Sequence, residues 1–193
     1  TPSSGCGGGK NILTNGDFES GTTADWWTNG SWSTTTDAKC GTYGGAVTLF
    51  DYSNQFMQTG RTLEGDTLYK LSFWAKADST KTITAELLQN GYPYAGYGLN
   101  QNFNVTTSWT CHEEEFTTTN INGTVSDGRF RFWHGTTGTY TFDDITIEKL
   151  GAPPPTPTPS HTPIVTITPS PTNTPITPPP SPTSSGSGST IKI

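Results

Sequence analysis

The chain has 193 residues, with 16 Asp and Glu against ten Lys and Arg and a formal charge of −6. That sign argues against a nucleic-acid backbone or an anionic membrane surface as the partner and leaves neutral ligands and metal cations; no run approaches the ~20 apolar residues of a membrane-spanning helix. Of 15 prolines, 13 lie beyond Gly151, whereas all six Trp, nine Phe and seven Tyr precede it, so the final 43 residues cannot build a core.

Residues 1–10, TPSSGCGGGK, read as a Gly/Ser leader without an initiating Met or a signal peptide, as expected of a piece of a longer polypeptide. The folded part is expected over residues 11–150. It opens with NILTNGDFES at Asn11–Ser20, where an extended backbone would point Phe18 inward and Asp17 and Glu19 together outward. Like charges so placed call for a cation or a basic group, and Asp143 and Asp144 of FDDITIEKL supply further carboxylates at the far end of the domain; the alternative is a pair of solvated turn carboxylates.

A polar, Trp-rich loop follows, GTTADWWTNGSW, with Trp26, Trp27 and Trp32. Strands are expected at Ala46–Phe50, Asn54–Thr59, Leu68–Ala75, Thr82–Gln89, Gln101–Val105, Thr110–Thr117, Gly128–His134 and Thr139–Leu150, with turns at Leu63–Asp66 and in NGYPYAGYG. About nine short strands and no helical periodicity indicate an all-β, two-sheet sandwich. In GRFRFWHG, Phe130 and Phe132 share one face and Arg129, Arg131 and Trp133 the other, so an inward pair of phenylalanines would place Arg131 and Trp133 on the outside of the sheet. Trp74 and Trp109 lie within strand patterns and are expected in the core.

From Gly151 the chain is rich in Pro, Thr and Ser, with no acidic residue and a closing STIKI. Proline fixes φ and removes backbone donors, so residues 151–193 read as an extended, disordered Pro/Thr linker, with hydroxyls suited to O-glycosylation in a secreted protein. Three cysteines cannot all pair: Cys40 and Cys111 can bridge if the fold joins them, leaving Cys6 odd. No Cys-x-x-Cys spacing suggests zinc.

The NGDFES opening, the Trp-rich loop, LSFWAKA at Leu71–Ala77, the Trp109 strand and the closing FDDITIEKL together resemble the β-sandwich carbohydrate-binding modules of families four, sixteen and twenty-two, family sixteen above all. The resemblance covers Asn11 to Leu150 and implies a jelly roll carrying a structural calcium. Its ligands would be the side chains of Asp17, Glu19 and Asp143, with backbone carbonyls from the turn at Lys39 to Gly41. It also implies a monomeric, non-catalytic module, secreted and joined by the linker to a glycoside hydrolase, that binds β-1,4-linked glucan or mannan.

Sugars carry an apolar C–H face and a rim of hydroxyls, so their sites combine flat aromatics with amides, carboxylates or Arg. By the family pattern the ligand residues are Trp27 or its neighbour Trp26, Gln89, Gln101 and Trp133, with Arg131 in phase beside the last. Strand alternation leaves Gln89 and Gln101 open to a second role as polar groups at strand ends, since it places them with Leu87 and with Leu99 and Phe103. Gln55, Gln58, Glu86, Tyr94 and Tyr97 are further candidates for the cleft. The competing expectations are a small jelly-roll polysaccharide hydrolase or lyase using Glu86, Glu114 and His134, and a cell-surface adhesion module.

Overall fold

The computed structural model describes residues 11–154 and 177–181. The expected leader with Cys6, most of the expected linker, His161 and the closing STIKI lie outside the described residues. One compact unit spans Thr1–Pro155 and a second Thr156–Ile193; in the second, residues 177–181 are exposed and have no regular secondary structure.

Among the described residues there is no helix long and apolar enough to cross a membrane. The elements are all strands: β1 (Trp27–Thr28), β2 (Ser31–Thr35), β3 (Gly44–Leu49), β4 (Phe56–Glu64), β5 (Leu68–Ala77), β6 (Lys81–Gln89), β7 (Gly96–Val105), β8 (Thr110–Thr117), β9 (Thr124–Trp133) and β10 (Gly138–Gly151). They form two five-stranded antiparallel sheets, ordered β1-β4-β9-β6-β7 and β2-β3-β10-β5-β8. The fold is the expected all-β sandwich.

The inner faces follow from alternation. In β5, Tyr69, Leu71, Phe73 and Ala75 are buried, while Lys70, Ser72, Trp74 and Lys76 on the other face are half-exposed. In β9, Phe130 and Phe132 are wholly buried, and Phe132 stacks on Phe142 of the opposite sheet at 4.5 Å between ring centres. Phe56 and Phe73 complete this aromatic centre. Fully burying a side chain of that size stabilises by about 1.5–3 kcal/mol, so these rings fix how the sheets face each other.

The structure corrects several expectations. NILTNGDFES is not a strand: only Asn11 bridges β10, and Asn15 and Phe18 have left-handed backbones. Phe18 nonetheless reaches the core, whereas Asp17 and Glu19 are exposed. A side chain shares the anchoring with the backbone: the Asn11 amide donates to the Ile145 carbonyl and accepts from the N–H groups of Leu13 and Ile147, while Ile12 N–H donates to the Ile147 carbonyl and Ile145 N–H to the Gly16 carbonyl. The Trp-rich stretch contains β1 and β2, short edge strands with too few alternating residues to show a period.

Trp74 and Trp109 stay out of the core. Trp74 takes the outward phase of β5 and lies under the Lys39 ammonium at 4.5 Å, and Lys76 lies over Trp109 at 5.2 Å. Cys40 is disulfide-bonded but Cys111 is a free thiol, so the bridge between those two is not formed.

Candidate functional site

The outer face of the first sheet holds three of the six expected ligand residues, Trp27, Arg131 and Trp133. Register places Trp27 beside Met57, Met57 beside Arg131, Arg131 beside Glu86 and Glu86 beside Asn100, one row across five strands. The adjoining row runs from Trp133 to Thr84 to Asn102. Between Trp133, Tyr52 and this floor lies an open depression of about 420 Å³ that also reaches Thr82 and His134.

Arg131 organises the floor. Its Nε and Nη2 donate to Glu86 Oε2 at 2.8 and 2.6 Å, and Nη1 donates to Gln55 Oε1 at 3.2 Å. Its guanidinium carbon lies 3.5 Å from the ring centre of Trp133. The ion pair is nearly desolvated, with side chains 10 % and 13 % exposed, so its charges cancel locally and the remaining floor groups are amides and hydroxyls. Thr84 Oγ1 donates to Asn102 Oδ1 at 2.6 Å.

A stack of rings rises beside this floor. The His134 ring is 3.2 Å from Trp133, centre to centre, and Tyr52 lies on His134 at 4.2 Å with planes 8° apart. Burial, and secondarily the Arg131 charge, hold the His134 imidazole below its ordinary pKa. On the edge strand β1, two strands from Trp133, Trp27 is 50 % exposed. Beyond the β6–β7 turn, Arg129 donates twice to Asn90 and sits 5.7 Å from the Tyr94 ring.

The expected residues therefore divide. Trp27, Arg131 and Trp133 share the outer face. Trp26 does not: it is 5 % exposed, stacks on Phe56 at 4.5 Å and donates from Nε1 to the Asn15 carbonyl. Gln101 pairs with Ala85, which pairs with Phe132, and Gln89 pairs with Gly128, so both glutamines carry the inward phase. Gln101 is exposed because β7 is an edge strand.

Among the further candidates, Gln55 and Glu86 belong to the floor, but Gln58 is buried and bonds Thr14. Tyr97 is buried, its hydroxyl donating to Asp127, and burial pushes its pKa up to about 12. The carboxylate set of the hydrolase alternative is dispersed: Glu86 is tied to Arg131 in the first sheet, and Glu114 lies on β8 of the second.

Asn100 and Asn102 were legible by alternation, being out of phase with Leu99 and Phe103. Tyr52 was not, and His134 entered only through the hydrolase alternative, because the stack joins the β3–β4 turn to the end of β9 across 82 residues of sequence.

Two of the expected metal residues, Asp143 and Glu19, bind the turn that carries Lys39. Asp143 Oδ2 accepts from the backbone N–H groups of Lys39 and Cys40 at 2.7 and 2.8 Å, and Glu19 Oε1 accepts from those of Thr42 and Tyr43, both at 2.8 Å. Gly41 has a left-handed backbone at φ +62°, which favours glycine, and a Cβ there would displace the Glu19 carboxylate, 2.5 Å away.

Among the described residues Asp143 Oδ1 is buried without a hydrogen-bond partner, and burial raises the carboxyl to about 6 against the pull of the Cys40, Lys39 and Asp144 N–H groups. An orphaned carboxylate oxygen beside a second carboxylate suits a hard cation. Among the described residues, however, no three His, Cys, Asp or Glu side chains come together as metal ligands. Among the described residues Asp17 accepts from Glu19 N–H within its own turn, at 3.4 Å. A cation here would need main-chain oxygens to complete its sphere.

Residues 10–141 match the sequence profile of a family described as "Carbohydrate binding domain". No curated protein sequence matches the chain. Similar solved structures include a second module of carbohydrate-binding family sixteen, at 22 % identity and TM-score 0.54, covering 71 % of this chain and 99 % of that one. A xylan-binding domain of Paenibacillus barcinonensis Xyn10C has 16 % identity and TM-score 0.57, with coverages of 75 % and 97 %. The N-terminal cellulose-binding domain of Cellulomonas fimi β-1,4-glucanase C has 21 % identity and TM-score 0.50, with coverages of 76 % and 97 %. At these identities the likeness concerns the fold.

Proposed function

The chain belongs to the carbohydrate-binding-domain family, and from that membership we propose that the outer face of its first sheet binds single chains of β-1,4-linked glucan or mannan. The observation that carries the assignment is the pairing of chemistries on this face. Trp27 stands exposed on the edge strand β1, the Trp133–His134–Tyr52 stack rises from the end of the central strand β9, and Thr84, Asn100, Asn102 and the Arg131–Glu86 pair carry the same face across to β7. Aromatic rings meet the C–H faces of pyranoses, and amides, hydroxyls and a charge-neutralised ion pair meet uncharged hydroxyls.

The face carries an open depression beside the ring stack, which suits soluble single chains more than a flat crystalline surface. Binding is weak, in the micromolar-to-millimolar range of about −4 to −8 kcal/mol, and nearly independent of salt because the groove carries no net charge. The module is a secreted monomer held by its Pro/Thr segment to a glycoside hydrolase and raises the local concentration of substrate by tethering. The C. fimi relative's description as the N-terminal domain of a β-1,4-glucanase supports that arrangement.

A structural calcium completes the proposal. Glu19 and Asp143, with main-chain carbonyls of the turn at residues 39–41, would hold it. When bound it supplies charge neutralisation at a buried carboxylate and pins that turn to β10. The unpartnered Asp143 Oδ1 supports this role.

Affinity electrophoresis against soluble cellulose derivatives, galactomannan and xylan tests the glycan assignment. Retardation by glucan or mannan is expected; unchanged mobility in all three gels contradicts it.

A further inference from the structure

An aromatic ring serves a sugar only if one of its faces is free, and Trp133 has none. The Arg131 guanidinium lies 3.5 Å from its ring centre and the His134 imidazole 3.2 Å from it. Two groups at van der Waals distance from one ring centre cannot share a side, so they cover opposite faces. The indole Nε1 is buried without a hydrogen-bond partner and offers no donor to a ligand hydroxyl. His134 is covered in turn by Trp133 and by Tyr52, which lies nearly parallel at 4.2 Å.

Tyr52 ends the stack. It is 64 % exposed, with one face on His134 and the other open beside the depression that Asn100, Asn102 and Thr84 line. Its turn is fixed from both sides. Asn54, 4 % exposed, accepts through Oδ1 from the N–H groups of Phe50 at 2.6 Å and Asp51 at 3.2 Å. Asp51 Oδ1 accepts from Ser53 N–H at 2.7 Å and from Ser53 Oγ at 2.6 Å. A ring held in place before binding loses little entropy when a ligand covers it.

We propose that Tyr52, rather than Trp133, is the platform on which a pyranose lies at this end of the groove, with Trp133 and His134 as positioning residues that hold it there. The assignment rests on the glycan reading above and refines it: it names the contacting ring and the orientation, with the sugar's C–H face on Tyr52 and its hydroxyl rim toward Asn100 and Asn102. It also gives the Arg131–Glu86 pair a function at a distance, because the guanidinium backs the stack from below.

Calorimetric titration with cellohexaose and mannohexaose tests it on the wild-type chain and on Tyr52→Ala and Tyr52→Phe. Loss of the ring weakens binding about tenfold or more, as for other aromatic anchors; Tyr52→Phe keeps affinity within about twofold, since the contact uses the ring face, and neither change moves the melting temperature because the side chain is exposed. A second readout needs no variant: the hexasaccharide protects Tyr52 of the wild-type chain from nitration by tetranitromethane, followed by peptide mass. Wild-type binding with Tyr52→Ala within twofold, or with Tyr52 nitrated equally with and without sugar, overturns the platform assignment alone. No binding of either sugar by the wild-type chain overturns the glycan reading and this one together.

Discussion

The Arg131–Glu86 pair offers a quantitative test of how the groove is built. Replacing Glu86 by Gln removes the countercharge from a guanidinium whose residue is 9 % exposed. Breaking a fully buried pair costs about 3–5 kcal/mol, and a surface pair is worth about 0–1 kcal/mol. Side chains 10 % and 13 % exposed lie near the buried limit. Two compensations lower the cost: Gln keeps an acceptor for one of the two N–H donors, and Arg131 retains Gln55 Oε1 and the Trp133 face, a cation–π contact worth about 0.5–2 kcal/mol. The expected destabilisation is roughly 2–3 kcal/mol. Arg131→Met strands the Glu86 carboxylate and costs a similar amount, while the double variant recovers part of the loss. Urea unfolding of all four proteins gives the coupling energy, expected at about 1.5 kcal/mol or more. A coupling under about 0.5 kcal/mol would show the pair to be solvent-screened, and the account of a neutralised, preorganised floor would fail.

Neighbouring tryptophans should behave oppositely. Trp26→Ala opens the core beside Phe56 and costs about 3–5 kcal/mol in chemical denaturation, whereas Trp27→Ala leaves stability within about 0.5 kcal/mol and weakens glycan binding in calorimetry. His112, half-buried against Phe73 and Phe103, is held by burial below its ordinary 6.5. The unfolded chain therefore takes up a proton that the folded chain resists, and the stability His112 contributes is whole above 6.5 and lost as pH falls through the lowered value. Thermal melts should show His112→Phe losing less stability than wild type between about pH 7 and 5; parallel pH profiles would contradict this. Calcium should raise the melting temperature and excess EDTA reverse it, with Asp143→Ala insensitive to both and low-temperature glycan affinity unchanged; an unchanged wild-type melt in EDTA counts against the metal.

The sequence shows the sandwich plainly because long strands with one buried face announce themselves by alternation. β5 and β9 are the clearest, and GRFRFWHG correctly placed Phe130 and Phe132 inside and Arg131 and Trp133 outside. What stayed hidden depended on contacts between distant segments. Trp26 and Trp27 are adjacent and chemically identical; only the docking of β1 on β4 decides that the first packs on Phe56 and the second faces out. NILTNGDFES has the composition of a strand, but it is tied to β10 by the Asn11 side chain and a few scattered backbone bonds in place of a ladder, and left-handed Asn15 and Phe18 turn it away. Gln89 and Gln101 keep the phase that alternation gave them, with Leu87 and with Leu99 and Phe103, so the family pattern and the strand register assign them to different faces. The Tyr52–His134–Trp133 stack joins a turn to a strand end and has no local signature.

The central claim, that this sheet face lays aromatic rings against a neutral glycan, is tested most directly by one titration series. Cello-, manno- and xylo-hexaose are titrated into the wild-type chain and into the Trp27→Ala, Tyr52→Ala double variant. The account predicts saturable, exothermic binding of a β-1,4-linked gluco- or manno-oligosaccharide by the wild-type chain, unchanged by added salt, and no measurable heat from the double variant. Undiminished binding by the folded double variant, or no heat with any of the three sugars, would contradict it.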